Sequence, residues 1–459
     1  MSTKIDAAKK TTAAGVTIRT KKKIVAAVVL ALAALIGSSY WVGKSTEKTF
    51  RENMEEIARH GGKVTITDYR RGFFGATART DWVLVGPEEE SITLSFNHSI
   101  RHGPLLTLPA TANIRSELMP SESLTALLVD TLGGNPFGSK TPLTIKSTFG
   151  WSGAHHAQIT LPKFEIPALS WGGLNGEITV NADRSILKVK VVMPGLSMIE
   201  NNENQLQIGR ITFQTNMRRA KGYEFVFTGT SHLVLNKFLL LMTENTGVTH
   251  GFAFENARAE ASSTLKNVAL NMQIRVSADS VAVGGKSETT IDKPKATFLY
   301  ENIDPRALET ILRVAQNQNE EELLLALAAQ AEALLQRKPV LSIKDVSASG
   351  PEGATTGNFR IAYTGDGNLD QFSLADVVVN LQFSLPIAPI NRLLEEQASQ
   401  GYTEKTKEYV SMINAMINSG FLTEKDGILS ANASLENSAL SLNGQPKSLE
   451  VLQELLELF

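Results

Sequence analysis

Histidine is the side chain best suited to acid–base or metal chemistry near neutral pH, and the chain holds seven. His155 and His156 are adjacent, so on a strand they point to opposite faces and cannot bind one metal ion. His98 and His102 are four residues apart, which suits a helix, but the alternating sequence around them predicts a strand and a turn. The zinc-protease pattern H-E-x-x-H does not occur. We therefore expect no metal site and no cofactor.

Sequence motifs for nucleophiles and phosphate loops are missing as well. The chain has no G-x-S-x-G elbow, and the absence of cysteine removes every thiol nucleophile and thiolate metal site. Residues 284–287, Gly-Gly-Lys-Ser, end like a phosphate-binding loop, but Ser280 stands where its first glycine is required. We interpret this stretch as a hairpin. Because the acidic residues are dispersed and define no acid–base pair, the sequence predicts a protein that is not an enzyme.

Two short clusters combine polar and aromatic residues. The stretch Tyr69-Arg70-Arg71-Gly72-Phe73-Phe74 places two arginines among three aromatic residues, and His102-Gly103-Pro104 follows a predicted strand. One interpretation is a contact with a ligand or a partner near a membrane. The interpretation that we favour is a tight turn, whose aromatic residues anchor the start of the sheet and whose arginines meet water or acidic groups.

An uncharged run of nineteen residues, 24–42, directly follows Lys21-Lys22-Lys23. At about 1.5 Å per residue, a helix of this length can cross a hydrocarbon core of roughly 30 Å. Gly37 and Ser39 also fit a signal-peptide cleavage site, so cleavage after export remains an alternative. Tyr40 and Trp41 favour an uncleaved anchor, because amphipathic aromatic residues concentrate at membrane interfaces.

The charges beside this segment predict its orientation. Residues 1–23 hold seven Lys and Arg and one acid, Asp6, and the more basic flank stays in the cytoplasm. The remainder holds 38 basic and 46 acidic residues, a net charge of −8, which argues against nucleic acid or anionic lipid headgroups as the main partner. An exported chain without cysteine fits a bacterial periplasm better than an animal secretory route. We therefore expect a single-pass inner-membrane protein with its bulk in the periplasm.

The hydrophobic period changes from helical to alternating near residue 63. Phe50, Met54 and Ile57 lie at helical spacing, and beyond them a period of two is typical of half-solvated antiparallel strands. This alternation predicts strands at 65–67, 81–85, 91–96, 142–150, 157–161, 176–181, 186–192, 205–213, 224–233, 267–276, 287–299, 340–349, 358–363, 376–384 and 427–442. Further helices are predicted at 121–132, 305–336, 394–417 and 448–458, with Glu320 close to the start of a second helix within 305–336.

Short motifs occur in order along the chain: Trp41-x-Gly43-Lys44, Tyr69-x-Arg71-Gly72-x-Phe74, His102-Gly103-Pro104, Trp171-Gly172-Gly173, Asn181-Ala182-Asp183-Arg184 and Leu442-Asn443-Gly444-Gln445. With them the chain resembles the YdgA-like family of Gram-negative envelope proteins, whose shared domain has no assigned biochemical activity. The resemblance implies an inner-membrane anchor and a β-rich periplasmic domain. The family positions of unknown role that it singles out are Tyr69, Arg71, Gly72, Phe74, His102, Gly103, Pro104, Asn443 and Gly444.

The predicted fold is mainly β with minor α (α+β): an N-terminal transmembrane helix, then a large extended antiparallel sheet with a few amphipathic helices packed on it. Its predicted parts are a basic cytoplasmic tail (1–23), a transmembrane helix (24–42), a helical stem (43–62), a β-rich periplasmic region (63–300), a helical segment (301–338) and a β-rich C-terminal region with a terminal helix (339–459).

The expected function is non-enzymatic. One hypothesis is a trough of the sheet that binds or carries an apolar or lipid ligand, because a sheet must bury its apolar face. The alternative is an envelope scaffold that binds other proteins without a small-molecule ligand. The layout is also similar to that of AsmA-like envelope proteins implicated in lipid movement, which is an analogy of fold alone.

Overall fold

The chain divides into two units, Met1–Pro162 (unit 1) and Lys163–Phe459 (unit 2). The predicted β-rich region 63–300 is therefore divided at Pro162. A computed structural model describes residues 42–451 except 53, 56–57, 59–62, 86–90, 103–109, 121–124, 127–128, 130–133, 139, 201–203, 244–248, 285–288, 316–318 and 400–402. The predicted tail, residues 24–41 of the predicted transmembrane helix, and most of the predicted helices 121–132 and 448–458 lie outside the described residues.

Unit 1 contains an antiparallel meander of six strands whose order in the sheet follows the chain. Its strands are β1 (Lys63–Arg71), β2 (Gly75–Val85), β3 (Ser91–His102), β4 (Ala110–Met119), β5 (Thr144–Gly150) and β6 (His155–Leu161). Alternating residues of β3 are buried, as its period of two predicts.

One helix, α1 (residues 42–52), covers the apolar face of this sheet. The ring of Phe50 packs into a cluster with Ala76, Ala78, Ile100 and Ile114. The two alanines of β2 leave the space that an aromatic ring requires between helix and sheet. The described first turns of the predicted helical stem (43–62) are therefore part of the core of unit 1.

The described residues of unit 2 form nineteen strands, all paired antiparallel. These are β7 (Phe164–Ile166), β8 (Leu169–Trp171), β9 (Leu174–Val180), β10 (Ile186–Met193), β11 (Leu196–Glu200), β12 (Asn204–Ile208), β13 (Ile211–Arg219), β14 (Phe227–Thr243), β15 (Thr249–Lys266), β16 (Ala269–Ser277), β17 (Ser280–Gly284), β18 (Thr289–Ile303), β19 (Val340–Gly350), β20 (Gly353–Tyr363), β21 (Val377–Pro386), β22 (Thr423–Lys425), β23 (Ile428–Glu436), β24 (Ala439–Leu442) and β25 (Gln445–Lys447).

A line of irregular residues crosses the strands of unit 2, and we call it the crease. It consists of residues 172–173, 194–195, 209–210, 236, 256, 278–279, 293–294 and 345. Backbone bonds continue along it, from Gly172 N to Gly195 O at 2.8 Å and from Gly209 N to Lys237 O at 2.7 Å. Asn256 and Lys293 have φ of 48° and 47°, outside the β region. The crease splits the predicted strand 205–213 into β12 and β13.

The long central strand β15 was not predicted from the sequence. It is paired with β14 along almost its whole length, from Thr249 to Ser263. Its composition is the reason that the alternation is weak, since alanines occupy positions 253, 257, 259 and 261 and β-branched residues are few. Tertiary pairing with β14, β16 and β17 supplies what the local sequence lacks.

Helices in the part of unit 2 that the structure describes are α2 (Pro305–Ala315), α3 (Glu320–Gln336), α4 (Ala388–Ser399) and α5 (Thr403–Asn418). The two predicted helices within 305–336 are confirmed, and Asn319 caps the second by accepting from the amides of Glu321 and Glu322. Helix α2 packs through Leu308 on a cluster of Ala220, Val226 and Leu270.

Helix α3 corrects the expectation that every helix packs its apolar face on the sheet. It contains no buried residue, and Leu324 and Leu325 are 66% and 65% exposed. Its leucines and alanines occur on all sides rather than in one stripe, which is the sequence reason that no single face is buried.

Candidate functional site

Residues from three separate sequence motifs meet beneath α1 in unit 1. A Cβ atom on Gly43 would lie 2.5 Å from His102 Cε1, so the helix backbone rests directly on that imidazole. Arg71 Nη1 lies 3.5 Å from Glu47 Oε2, and the ring of Tyr69 lies 5.9 Å from the ring of Phe50. The family positions Tyr69, Arg71 and His102 therefore hold α1 against the sheet.

This cluster is closed to substrates. His102 is 2% exposed, and neither ring nitrogen makes a hydrogen bond with a described residue. Burial lowers the pKa of His102 and the charge of Arg71 lowers it further, against an opposing effect of the Gly75 backbone. Burial, followed by the charge of Glu47, raises the pKa of Tyr69. The neutral, enclosed side chains serve packing and offer no accessible acid or base.

His98, which the sequence places four residues before His102 on a predicted strand, is buried beside this cluster. His98 Nε2 is 2.8 Å from Thr80 Oγ1, and His98 Nδ1 is 2.8 Å from Ser116 Oγ. These hydroxyls satisfy both nitrogens of a neutral ring, and burial lowers the pKa of His98 to about 4. The ring also meets Phe50 of α1 edge to face at 5.1 Å. The signal was present in the sequence, since residue 98 has the same alternation phase as Phe96 and Ile100.

The turn between β1 and β2 contains the remaining residues of the Tyr69 motif. Gly72 N donates to Gly75 O at 2.7 Å and closes the turn, as the sequence predicts. Arg70 and Arg71 face acids, Asp68 and Glu47 respectively. The prediction that the aromatic residues anchor the sheet is right for Tyr69 and wrong for the other two, because Phe73 and Phe74 are exposed. Gly103 and Pro104 lie outside the described residues.

Asn443 and Gly444 form a tight turn at the C-terminal end, which hydrogen bonds to the backbone stabilise. They occupy the turn between β24 and β25 with φ of 50° and 80°, a conformation suited to Asn and Gly. The amide group of Asn443 donates to Gly420 O at 2.8 Å and Phe421 O at 3.1 Å, while its carbonyl oxygen accepts from Asn432 N at 2.8 Å. This pair is far along the chain from His102, and its contacts are with backbone groups of unit 2.

An uncovered apolar surface lies in unit 2, and Trp171 is its one residue from the sequence motifs. Two rows of cross-strand neighbours form one face of the sheet on the β7 side of the crease, and we call them the apolar patch. The rows are Phe164, Trp171, Leu196, Ile208, Phe238, Phe254, Val281 and Ile291, and Ile166, Leu169, Met198, Leu206, Leu240, Phe252 and Val283. With eight strands about 4.8 Å apart, the patch extends roughly 34 Å across the sheet.

None of the side chains of the apolar patch is buried. Met198, Phe252, Val283 and Ile291 are exposed, and the others are half-buried. Phe238 stacks on Phe254 at 5.0 Å between ring centroids, so the aromatic residues contact each other rather than a covering layer. The opposite face of the same strands carries mostly polar or small residues, such as Ser170, Ser197, Gln207, Ala253 and Ala282, and its large apolar residues are Ile199, Leu239 and Leu241.

The apolar face continues beyond the crease with a change of phase. From Phe254 to Ala257, as from Phe238 to Leu235, the apolar residues are three positions apart. Residues three apart on a regular strand face opposite sides, but a residue outside the β region shifts this alternation. Since Asn256 has such a backbone, we infer that the apolar residues of both segments lie on the same side of the bent sheet.

This continuation is open in the middle of the sheet and closed at its C-terminal end. Leu233, Ile274 and Val276 are exposed on β14 and β16. Towards the end of the chain the corresponding neighbours Ala433 and Leu442 are buried beneath Phe421, Leu449 and Val451. A β-sheet in water normally buries its apolar face against another layer of the protein. The uncovered part of this sheet is therefore the exception.

The same described residues contain no group of three His, Asp or Glu side chains that could hold a metal ion. No helix among them has the length and hydropathy that a membrane span needs.

Comparison with known proteins gives one match. The family model described as a bacterial protein of unknown function (DUF945) matches residues 20–450. Curated proteins and solved structures give no significant match. Because the family model covers nearly the whole sequence, the chain belongs to this bacterial family of unknown function.

Proposed function

We propose that the protein is a non-enzymatic component of the bacterial envelope that binds the acyl chains of a lipid along the apolar patch. In this proposal residues 24–42 anchor the chain in the inner membrane and residues 43–459 lie in the periplasm. The observation that carries the proposal is the apolar patch itself, a surface of fifteen residues without a charged side chain and without a buried member.

The free energy gained by removing this apolar surface from water favours the binding of a ligand. Each square ångström of apolar surface removed from water contributes about 25 cal/mol, so a patch of several hundred square ångströms favours an occupant by several kcal/mol. Elsewhere the protein covers the same kind of surface, with α1 in unit 1 and with Phe421, Leu449 and Val451 at the C-terminal end. The apolar patch lacks such a cover among the described residues.

The chemistry of the patch favours an acyl chain over a peptide. A peptide brings amide groups that need hydrogen-bond partners, and the indole N–H of Trp171, the one N–H among the side chains of the two rows, is buried. An acyl chain has no such requirement. Half of a hydrocarbon core of roughly 30 Å is the span of one acyl chain, so the patch is long enough for a chain lying across the strands.

Two neighbouring residues of β11 provide the test. Met198 belongs to the apolar patch and is 43% exposed, whereas Ile199 faces the opposite side and is 45% exposed. The purified full-length protein is titrated with a fluorescent long-chain fatty acid, alone and with Met198→Glu or Ile199→Glu. We expect Met198→Glu to weaken binding about tenfold or more, since 1.4 kcal/mol corresponds to a factor of ten. Ile199→Glu should leave the affinity unchanged.

The same titration can refute the proposal. Equal affinities for both variants and the unaltered protein would place any binding away from the patch. No binding of the fatty acid by the unaltered protein, together with lipid-free protein after extraction from membranes, would remove the lipid function altogether.

Helix α3 supports the alternative function of a protein-binding scaffold. Its exposed Leu324 and Leu325, with Leu327 at 41% exposure, form an apolar surface that a partner protein could cover. A photo-crosslinking residue at Leu325 in living cells should then capture one reproducible protein. Capture of scattered neighbours only would argue against this function and would leave the lipid proposal intact.

A further inference from the structure

Two described turns of unit 1 and the end of β3 lie at one end of its sheet. The register pairs Gly75 with Arg101 and Ala110 with Gly150, so the β1–β2 and β5–β6 turns follow the same edge as the end of β3. Phe73 and Phe74 stand in the first of these turns, and Trp151 stands in the second. We call these three residues the aromatic edge.

All three residues of the aromatic edge are exposed, at 45%, 49% and 51% for Phe73, Phe74 and Trp151. Phe73 and Phe74 contact each other edge to face at 4.8 Å. Among the described residues of unit 1, the other exposed large apolar side chains are Met119 and Val129, and Met119 ends β4 at the opposite end of the sheet. Exposed Trp and Phe concentrated at one end of a sheet are typical of a surface that meets a membrane interface.

Helix α1 begins at the same edge. Gly43 rests on His102, the last residue of β3, while Phe50 contacts His98, four residues earlier. The helix therefore runs from the aromatic edge towards the middle of the sheet. His102 N also donates to Phe74 O at 3.1 Å, which places the Phe73–Phe74 turn beside the first turn of α1. The chain before Val42, which includes the uncharged segment, joins unit 1 at this edge.

Basic residues stand next to the aromatic edge on the solvent face of the sheet. Arg101, Arg115 and Lys146 line a shared groove on β3, β4 and β5, and Arg101 is the residue closest to the edge. Lys44 of α1 is exposed at the same end. Phosphate groups of phospholipids are the anions that a cationic margin beside exposed aromatic residues would meet at a membrane surface.

We propose that the aromatic edge inserts into the headgroup region of the bilayer that holds residues 24–42, and that it fixes the orientation of unit 1 on the membrane. The inference rests on the membrane anchoring in the proposed function. The occupant is the phospholipid bilayer. Phe73, Phe74 and Trp151 supply the apolar contact, and Arg101 and Lys44 meet lipid phosphates.

The chain has no cysteine, so single cysteines can be labelled without a background. The full-length protein is reconstituted in vesicles of phosphatidylethanolamine and phosphatidylglycerol, with an environment-sensitive fluorophore at Phe73→Cys or Trp151→Cys. Met119→Cys is the matched control at the opposite end of the same sheet, and Ala33→Cys marks the anchor. Quenching by nitroxide lipids is compared with quenching by aqueous iodide.

We expect lipid quenching at positions 73 and 151 to exceed that at position 119 severalfold, with the reverse order for iodide. If position 33 is quenched by lipid while 73, 151 and 119 behave alike, the anchor stands and the aromatic edge does not insert. If position 33 is not quenched by lipid, the anchoring itself fails and this inference fails with it.

Discussion

At the scale of single residues, motifs that are scattered along the sequence meet at one place in unit 1. Gly43, Tyr69, Arg71 and His102 are far apart in the chain, but they come together where α1 docks on the sheet of unit 1. Their residue types could be read from the sequence, including the tight turn at Gly72. Their contacts could not be read from the sequence. These contacts depend on which strand lies beneath the helix and on the small side chains of Ala76 and Ala78, which leave room for Phe50. Gly43, Tyr69, Arg71 and His102 therefore contribute to the packing of α1 on the sheet, whereas Phe73 and Phe74 are exposed.

A methyl group at Gly43 tests this docking. Gly43→Ala would place Cβ against the imidazole of His102, and overpacking of this kind costs about 1–3 kcal/mol. Amide hydrogen exchange of the full-length protein should become faster in α1 and in β3. Gly134→Ala is the control, because a Cβ there meets no atom within 4 Å. Unchanged exchange in Gly43→Ala would show that the helix does not rest on His102.

The buried His98 predicts a loss of stability in acid. Its pKa is lowered from 6.5 to about 4, so below pH 6.5 the unfolded state binds a proton that the folded state does not. Stability from this residue is complete above pH 6.5 and is lost as the pH falls towards 4, by about 3 kcal/mol at 1.36 kcal/mol per pKa unit.

Hydrogen exchange of β2, β3 and β4 as a function of pH measures this loss. His98→Gln should flatten the dependence between pH 6.5 and 4, whatever its effect at neutral pH. His232→Gln, at an exposed histidine of unit 2, is the control and should leave the slope in unit 1 unchanged. An equal slope in His98→Gln and in the unaltered protein would contradict the assignment.

At the scale of elements, alternation in the sequence predicts most strands and fails where local preference is weak. Strand β15 is rich in alanine and is formed by its pairing with β14, which a local pattern does not contain. The crease has a sequence signature in the three-residue spacing of apolar positions, as between Phe254 and Ala257. The crease can be recognised only from the register of the neighbouring strands. In one strand alone, the same irregular position would be interpreted as the end of that strand.

The crease predicts a difference between two substitutions at Asn256. This residue has φ of 48°, and its amide donates to Asp279 Oδ2 at 2.7 Å. Asn256→Ala and Asn256→Gly both lose that bond, but only alanine also bears the cost of the left-handed backbone. Asn256→Ala should be less stable than Asn256→Gly by about 1 kcal/mol in the denaturant unfolding of unit 2. The opposite order would mean that the crease does not depend on this backbone conformation.

At the scale of the whole molecule, we propose that the two units have different functions. Unit 1 has a closed core under α1 and an exposed aromatic edge, whereas unit 2 has a long sheet whose apolar patch is uncovered among the described residues. The sequence predicted a mainly β, antiparallel architecture and the possibility of an apolar trough. It could not locate the patch, because its members come from eight strands and join only through the register.

The most direct test of the account places a photo-crosslinking amino acid on each face of β15 in living bacteria. Phe252 lies in the apolar patch, and its neighbour Ala253 faces the opposite side. After irradiation, mass spectrometry of the purified protein identifies bound lipid. The account predicts phospholipid or fatty-acid adducts at position 252 and none above background at position 253. Equal labelling at both positions, or protein adducts alone at position 252, would contradict it.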